Sequence, residues 1–168
     1  MTTLDYLNAC PVDAFVGEIG FAFEDSPWIA RAAAEQRPFA DRAALHAAMV
    51  GVVERAGEAA HVALIRAHPD LAGRVAREGR LTAASASEQA GAGLGALSAD
   101  EIARFDADNN AYRERFGFPF VICARENTKT SILAALARRR ANARADEIAT
   151  ALAEIAKIAR LRIEDAVS

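Results

Sequence analysis

Cysteine, histidine, aromatic side chains and long apolar runs are all scarce in this 168-residue chain. The two cysteines, Cys10 and Cys123, can form neither a C-x-x-C site nor a disulfide framework, so a reduced, cytoplasmic setting is expected. No apolar run approaches the roughly 18–20 residues of a membrane helix, so no membrane partner is expected. The charge is −3 and the isoelectric point about 5.7. Without a broad basic excess, nucleic acid is not expected as a partner. The opening MTTLDYLNAC has no basic region followed by an apolar stretch, so no secretory signal is expected. The closing Ala-Val-Ser is not a Ser-Lys-Leu-type peroxisomal address. Internal repeats and low-complexity tails are absent from the sequence.

What is abundant is alanine, about a quarter of the chain. Alanine is the best helix former, aromatics are 7% of residues and β-branched runs are short. The fold class predicted is all-α. One compact helical domain over residues 1–168, with about eight or nine helices, suits this length and the mean hydropathy of +0.04.

Start and stop signals place the helices. Ser26-Pro27 reads as an N-cap with proline at the first helical position. Asp41 opens a helix carrying Leu45, Ala48, Met49, Val52 and Val53 at helical spacing. Gly57 interrupts it. A second helix, Glu58 to Ala67, turns Val62, Ile65 and Leu64 inward and is stopped by Pro69. Ser98-Ala-Asp-Glu101 has capping-box form and starts a helix with Ile102, Phe105, Asn109, Tyr112 and Phe116, closed by Gly117. Asn127 or Thr128 caps the next, whose apolar face is Ile132, Leu133 and Leu136. Its basic end, Arg138 to Arg140, suits the negative end of the helix dipole. The last helix runs from about Arg144 to Ala166 with a stripe of Ile148, Leu152, Ile155, Ile158 or Ala159, and Ile163. Two stretches read as irregular: His68–Gly95, rich in glycine and small residues, and the apolar Gly117–Cys123 loop, broken by Pro119.

Three histidines are present. Glu58 and His61 form one Glu-x-x-His, but a di-metal bundle needs two such motifs and further glutamates. Ala43 and Ile65 stand where the second motif would need acids. No metal site is expected, and His46 and His61 read as ordinary helix residues. His68 differs. It stands at a helix end, before Pro69 and Asp70, and opens the glycine-bearing stretch. It either caps the last carbonyls of its helix or serves as an acid/base titrating near neutral pH. Ser85-Ala-Ser-Glu88 is of capping-box form and reads first as the start of a short helix. Its small neighbours would also let a ligand approach closely. Gly91-Ala-Gly-Leu-Gly95 has no preceding strand and no following Gly-Lys-Ser/Thr, so it is not a nucleotide loop. Arg160 and Arg162 lie two residues apart, on different faces of the last helix.

His68-Pro-Asp-Leu-Ala-Gly73, Ser85-Ala-Ser-Glu-Gln-Ala-Gly91, Phe116-Gly-Phe-Pro-Phe-Val-Ile-Cys-Ala-Arg-Glu-Asn127 and Ile158-Ala-Arg-Leu-Arg-Ile163 stand in one order. Together they resemble the ureidoimidazoline decarboxylases of urate breakdown over essentially the whole chain. The resemblance implies an all-helical, homodimeric enzyme without metal or organic cofactor. Such an enzyme converts 2-oxo-4-hydroxy-4-carboxy-5-ureidoimidazoline (OHCU) to (S)-allantoin. It implies that His68 is the catalytic histidine and that Glu88 holds substrate N–H groups. Pro69, Ser85 and Gln89 would contact substrate, as would Arg162, with Arg160 less well matched. Main-chain groups around Phe118, Phe120 and Ile122 would line the ring-binding cleft. The alternative is a non-enzymatic helical module. It would be an inactive family member, or a J-domain-like co-chaperone through His68-Pro69-Asp70. J domains carry a basic helix before that tripeptide, and residues 57–67 contain one arginine and one acid.

Overall fold

The computed structural model describes residues 1–168, the side chain of Val75 excepted. Ten α-helices are found among the described residues: α1 (Leu4–Ala9), α2 (Val12–Ile19), α3 (Pro27–Ala33), α4 (Arg42–Glu54), α5 (Glu58–Ala67), α6 (Arg74–Arg77), α7 (Ala83–Gly91), α8 (Ala99–Phe116), α9 (Lys129–Arg139) and α10 (Arg144–Ala166). Three 3₁₀ turns join them, at Gly20–Ala22, Ala34–Gln36 and Ala124–Glu126. The all-α expectation holds: the extended pairing among these residues is one isolated bridge between Thr2 and Val167.

The chain forms two compact units. Met1–Ala67 and Ala156–Ser168 make the first, and His68–Ile155 the second. In the first, α2 packs on α3 and α3 on α4. Leu7, Phe15, Ile19, Ile29, Leu45 and Met49 are fully buried, each contributing roughly 1.5–3 kcal/mol of transfer free energy. Asp41 caps α4 by accepting from Ala44 N at 2.7 Å. Ser26 stands at the N-cap of α3 with proline behind it, but its side chain makes no capping bond.

In the second unit, α8 packs against α9. Phe105, Asn109, Tyr112 and Phe116 form the buried stripe of α8, with Ile102 half-buried at its edge. The Ser98–Glu101 capping box is formed in both directions. Gly117 closes the helix in the left-handed region at φ 77°, a conformation that costs other residues about 1–2 kcal/mol. Between Asn127 and Thr128 the cap is Thr128, whose hydroxyl accepts from Ser131 N at 3.3 Å. On α10, Ile158 and Ala159 are both buried, whereas Leu152 is half-buried and Ala151 takes the interior place.

The stretch His68–Gly95, expected to be irregular, contains α6 and α7. Ser85 does not start α7. Thr82 does, accepting from Ser85 N at 3.3 Å. Two capping forms overlap here, and the helix begins at the earlier hydroxyl.

Candidate functional site

Eight of the nine sequence-assigned site residues belong to the second unit: His68, Pro69, Ser85, Glu88, Gln89, Phe118, Phe120 and Ile122. His68 follows directly on α5 and is 7% exposed. The residue is not without interactions, but its buried Nε2 atom makes no hydrogen bond within the protein. Pro69 fixes the backbone immediately after it.

Three segments meet around this histidine's own loop. Ser85, Glu88 and Gln89 stand at i, i+3 and i+4 on α7, so they share one helix face. Ser85 and Gln89 are buried and Glu88 is half-buried. Gln89 Oε1 accepts from Ala72 N at 2.9 Å, which ties α7 to residues 68–73. Helix α7 also meets the third segment. Helix α7 packs on the 3₁₀ turn Ala124–Glu126, and Glu88 lies near enough to act on the Cys123 thiol. Burial pushes that thiol's pKa up, and the carboxylates of Glu126, Glu154 and Glu88 push the same way.

The Gly117–Cys123 loop is held from outside, as a buried loop must be. Cys123 N donates to Glu154 Oε2 at 2.8 Å, and Val121 O accepts from Arg139 Nη1 at 2.8 Å. Phe118 and Phe120 turn their rings into the core. They sit 6.2 and 5.3 Å from the Tyr112 ring, edge to face. Their side chains are therefore committed to packing, and the backbone is the part of this loop with polar groups to offer a ligand.

Behind the loop lies a polar group that sequence reasoning missed. Arg139 was expected only to complement the end of α9. It is instead buried, with Nε donating to Glu147 Oε1 at 2.7 Å and its guanidinium 4.4 Å from the Phe120 ring centroid. Glu147 is wholly buried and also accepts from Asn142 Nδ2 at 2.9 Å and from the Tyr112 hydroxyl. Burial and the adjacent carboxylate raise Tyr112 far above the usual phenol range. An arginine at a register shared with apolar residues was the available signal.

Arg162, the ninth residue, belongs to the first unit. Its Nη1 lies 2.8 Å from Glu24 Oε2, and both side chains are 4% exposed. The same nitrogen donates to Phe21 O at 3.1 Å. Arg160 differs: it is half-exposed and pairs with Glu164 one turn on, at 2.8 Å. The two arginines thus differ in setting, Arg162 in a buried ion pair and Arg160 in a half-exposed one. Glu24 is a second residue the sequence did not announce. His46 and His61 read as ordinary helix residues, and both bond to main-chain carbonyls, of Ala156 at 2.8 Å and Val53 at 2.7 Å. Among the described residues, no three His, Cys, Asp or Glu side chains gather as a metal site.

Comparison with known proteins identifies the family of the chain. A family model described as OHCU decarboxylase matches residues 8–164. The 2-oxo-4-hydroxy-4-carboxy-5-ureidoimidazoline decarboxylase of Amia calva is 43% identical over 159 residues, covering 95% of this chain and 91% of that one. The enzyme of the same name from Haloferax volcanii is 40% identical, covering 97% and 95%. A crystal structure of (S)-allantoin synthase superposes with a TM-score of 0.80 at 27% identity over all of this chain. This chain spans about half, 54%, of that one. The match runs through all four sequence segments rather than the His-Pro-Asp tripeptide alone, so a J-domain reading is not favoured. The chain belongs to the OHCU decarboxylase family.

Proposed function

We propose that this protein decarboxylates OHCU and releases (S)-allantoin, with residues 1–168 acting as one functional domain. The observation that carries the reading is similarity at 40–43% identity along nearly the whole chain to enzymes of that name. The grouping of His68, Glu88 and Gln89 segments within one unit supports it.

The chemistry needs no outside electron sink. When the bond to the carboxylate breaks, its electron pair passes into the neighbouring C=N of the ring and CO2 leaves. The resulting enol-like species takes one proton at the former imine carbon, on one face, to give one enantiomer. His68 takes the substrate hydroxyl proton or steers the carboxylate out of plane, then helps deliver the new proton. An imidazole can act as both acid and base and so suits both duties. Glu88 accepts from ring and ureido N–H groups, and Pro69, Ser85 and Gln89 fix the ring's place. Arg162 takes an anionic or carbonyl part of the substrate. Main-chain groups near Phe118, Phe120 and Ile122 complete the hold, and positioning of this kind supplies much of the rate. We further propose a cytoplasmic homodimer, which needs no metal or organic cofactor for this step.

The test is circular dichroism of the product, with substrate generated in place by oxidising and hydrolysing urate. The expected result is a rapidly growing (S)-allantoin signal that disappears in His68→Ala. Slow, racemic allantoin from folded wild-type protein would overturn the reading.

A further inference from the structure

We propose that Asn109 and Arg113 of α8 are positioning residues for His68, a role that rests on the function proposed above. Residues 70–72, directly after His68-Pro69, are gripped by a strip along α8. Arg113 Nη2 donates to both carboxylate oxygens of Asp70, each at 2.8 Å. Asn109 Nδ2 donates to Leu71 O at 2.9 Å, and this contact is buried. Asp106 holds Arg77 through two bonds of 2.9 and 3.0 Å, and Arg77 Nη1 in turn donates to Ala72 O at 2.7 Å. Positions 106, 109 and 113 are successive turns of one helix face.

The loop needs such a hold. Ala72 sits at φ 53°, a left-handed conformation that a non-glycine residue keeps only when its surroundings over-determine it. Gly73 lets the turn close on itself: a Cβ there would stand 2.8 Å from Asp70 Cβ and 3.1 Å from Asp70 O. With Pro69 rigid, little freedom lies between this clamped turn and the histidine. A shift of Asp70 or Leu71 therefore moves the imidazole. Misplacement by about 1 Å can cost about 100-fold in rate.

The experiment compares Asn109→Ala, Arg113→Gln, Asp70→Asn and the Asp70→Asn/Arg113→Gln double variant by steady-state kinetics and by the NMR signals of the His68 imidazole, assigned from their loss in His68→Ala. The Asp70–Arg113 pair is partly exposed, so its variants stay testable should Asn109→Ala fail to fold. Expected are drops in kcat of about 10- to 100-fold with KM within about threefold, in proteins of unchanged helical content. The double variant should be no slower than the worse single one, because the two residues act through one ion pair. The His68 imidazole signals should shift in each variant while those of His46 and His61 stay. Wild-type kcat in Asn109→Ala and Arg113→Gln, beside an inactive His68→Ala, would overturn this proposal alone. Lost kcat with unmoved His68 signals, or with all three histidines shifted, would also overturn it, as an effect not carried by the position of His68. A fully active His68→Ala would overturn the function beneath it as well.

Discussion

Glu147 shows what a single buried charge demands. Its carboxylate is fully enclosed and takes hydrogen bonds from Arg139, Asn142 and Tyr112. Removing one member of such a set leaves an uncompensated charge in the interior. Arg139→Ala should therefore cost about 3–5 kcal/mol of stability in urea unfolding. Tyr112→Phe removes only one bond to that carboxylate and should cost about 1.5–3 kcal/mol. Gln89 presents a different case. Its Oε1 is engaged by Ala72 N, so its NH2 is the donor that remains for a ligand. Gln89→Glu keeps the acceptor and removes the donor. We expect KM for OHCU to rise with helical content unchanged, read by steady-state kinetics beside far-ultraviolet circular dichroism. The sequence announced Gln89 only through family resemblance. Asn109 left a plainer trace: an amide on the apolar stripe of α8 had to find a partner, although the partner, Leu71 O, is 38 residues away and invisible to spacing.

Elements were legible in proportion to their length. The longer helices α4, α8, α9 and α10 hold enough turns for their apolar spacing to show, and the caps of α4, α8 and α9 fall at Asp41, Ser98, Gly117 and Thr128. Helices α1 and α2, of six and eight residues, carry too few repeats to register as periodic. The four-residue α6 is a single turn. Helix α7 was misjudged for another reason. Its sequence is almost entirely small, so no large side chain marks an inner face, and Ser85 and Gln89 are what it buries. Its true start yields a prediction at this scale. Thr82→Ala should lower stability by about 1 kcal/mol through the lost cap, whereas Ser85→Ala should not disturb capping. Gly117→Ala, at the close of α8, should cost about 1–2 kcal/mol for its left-handed backbone. Thermal melts of the three variants would separate these effects.

For the molecule as a whole, alkaline pH is the informative axis. Tyr112 is raised by burial and its Glu147 hydrogen bond, and Cys123 by burial and nearby carboxylates. Both acids keep their protons longer in the folded state than in the unfolded chain. Their contribution to stability is complete below the unfolded pKa values, about 8.5 for a thiol and about 10 for a phenol, and is lost as pH rises beyond them. The melting temperature should accordingly fall between about pH 9 and pH 11. Tyr112→Phe should flatten the upper part of that fall, and Cys123→Ala the lower part.

The bridge between Thr2 and Val167 also bears on the topology of the chain itself. Thr2 N donates to Ala166 O and Ser168 N to Thr2 O, each at 2.9 Å, so residues 2 and 168 lie side by side. From residue 2 to residue 168 the backbone runs nearly full circle, and the order of its helices along the chain can be rewritten. A linker of about five residues, each spanning up to about 3.5 Å, is long enough to turn between ends running in parallel. New termini opened at the exposed Gly79 would then yield a circular permutant with the same helices in a different order. That permutant should fold to the same helical content and keep its turnover, as far-ultraviolet circular dichroism and the allantoin assay would show.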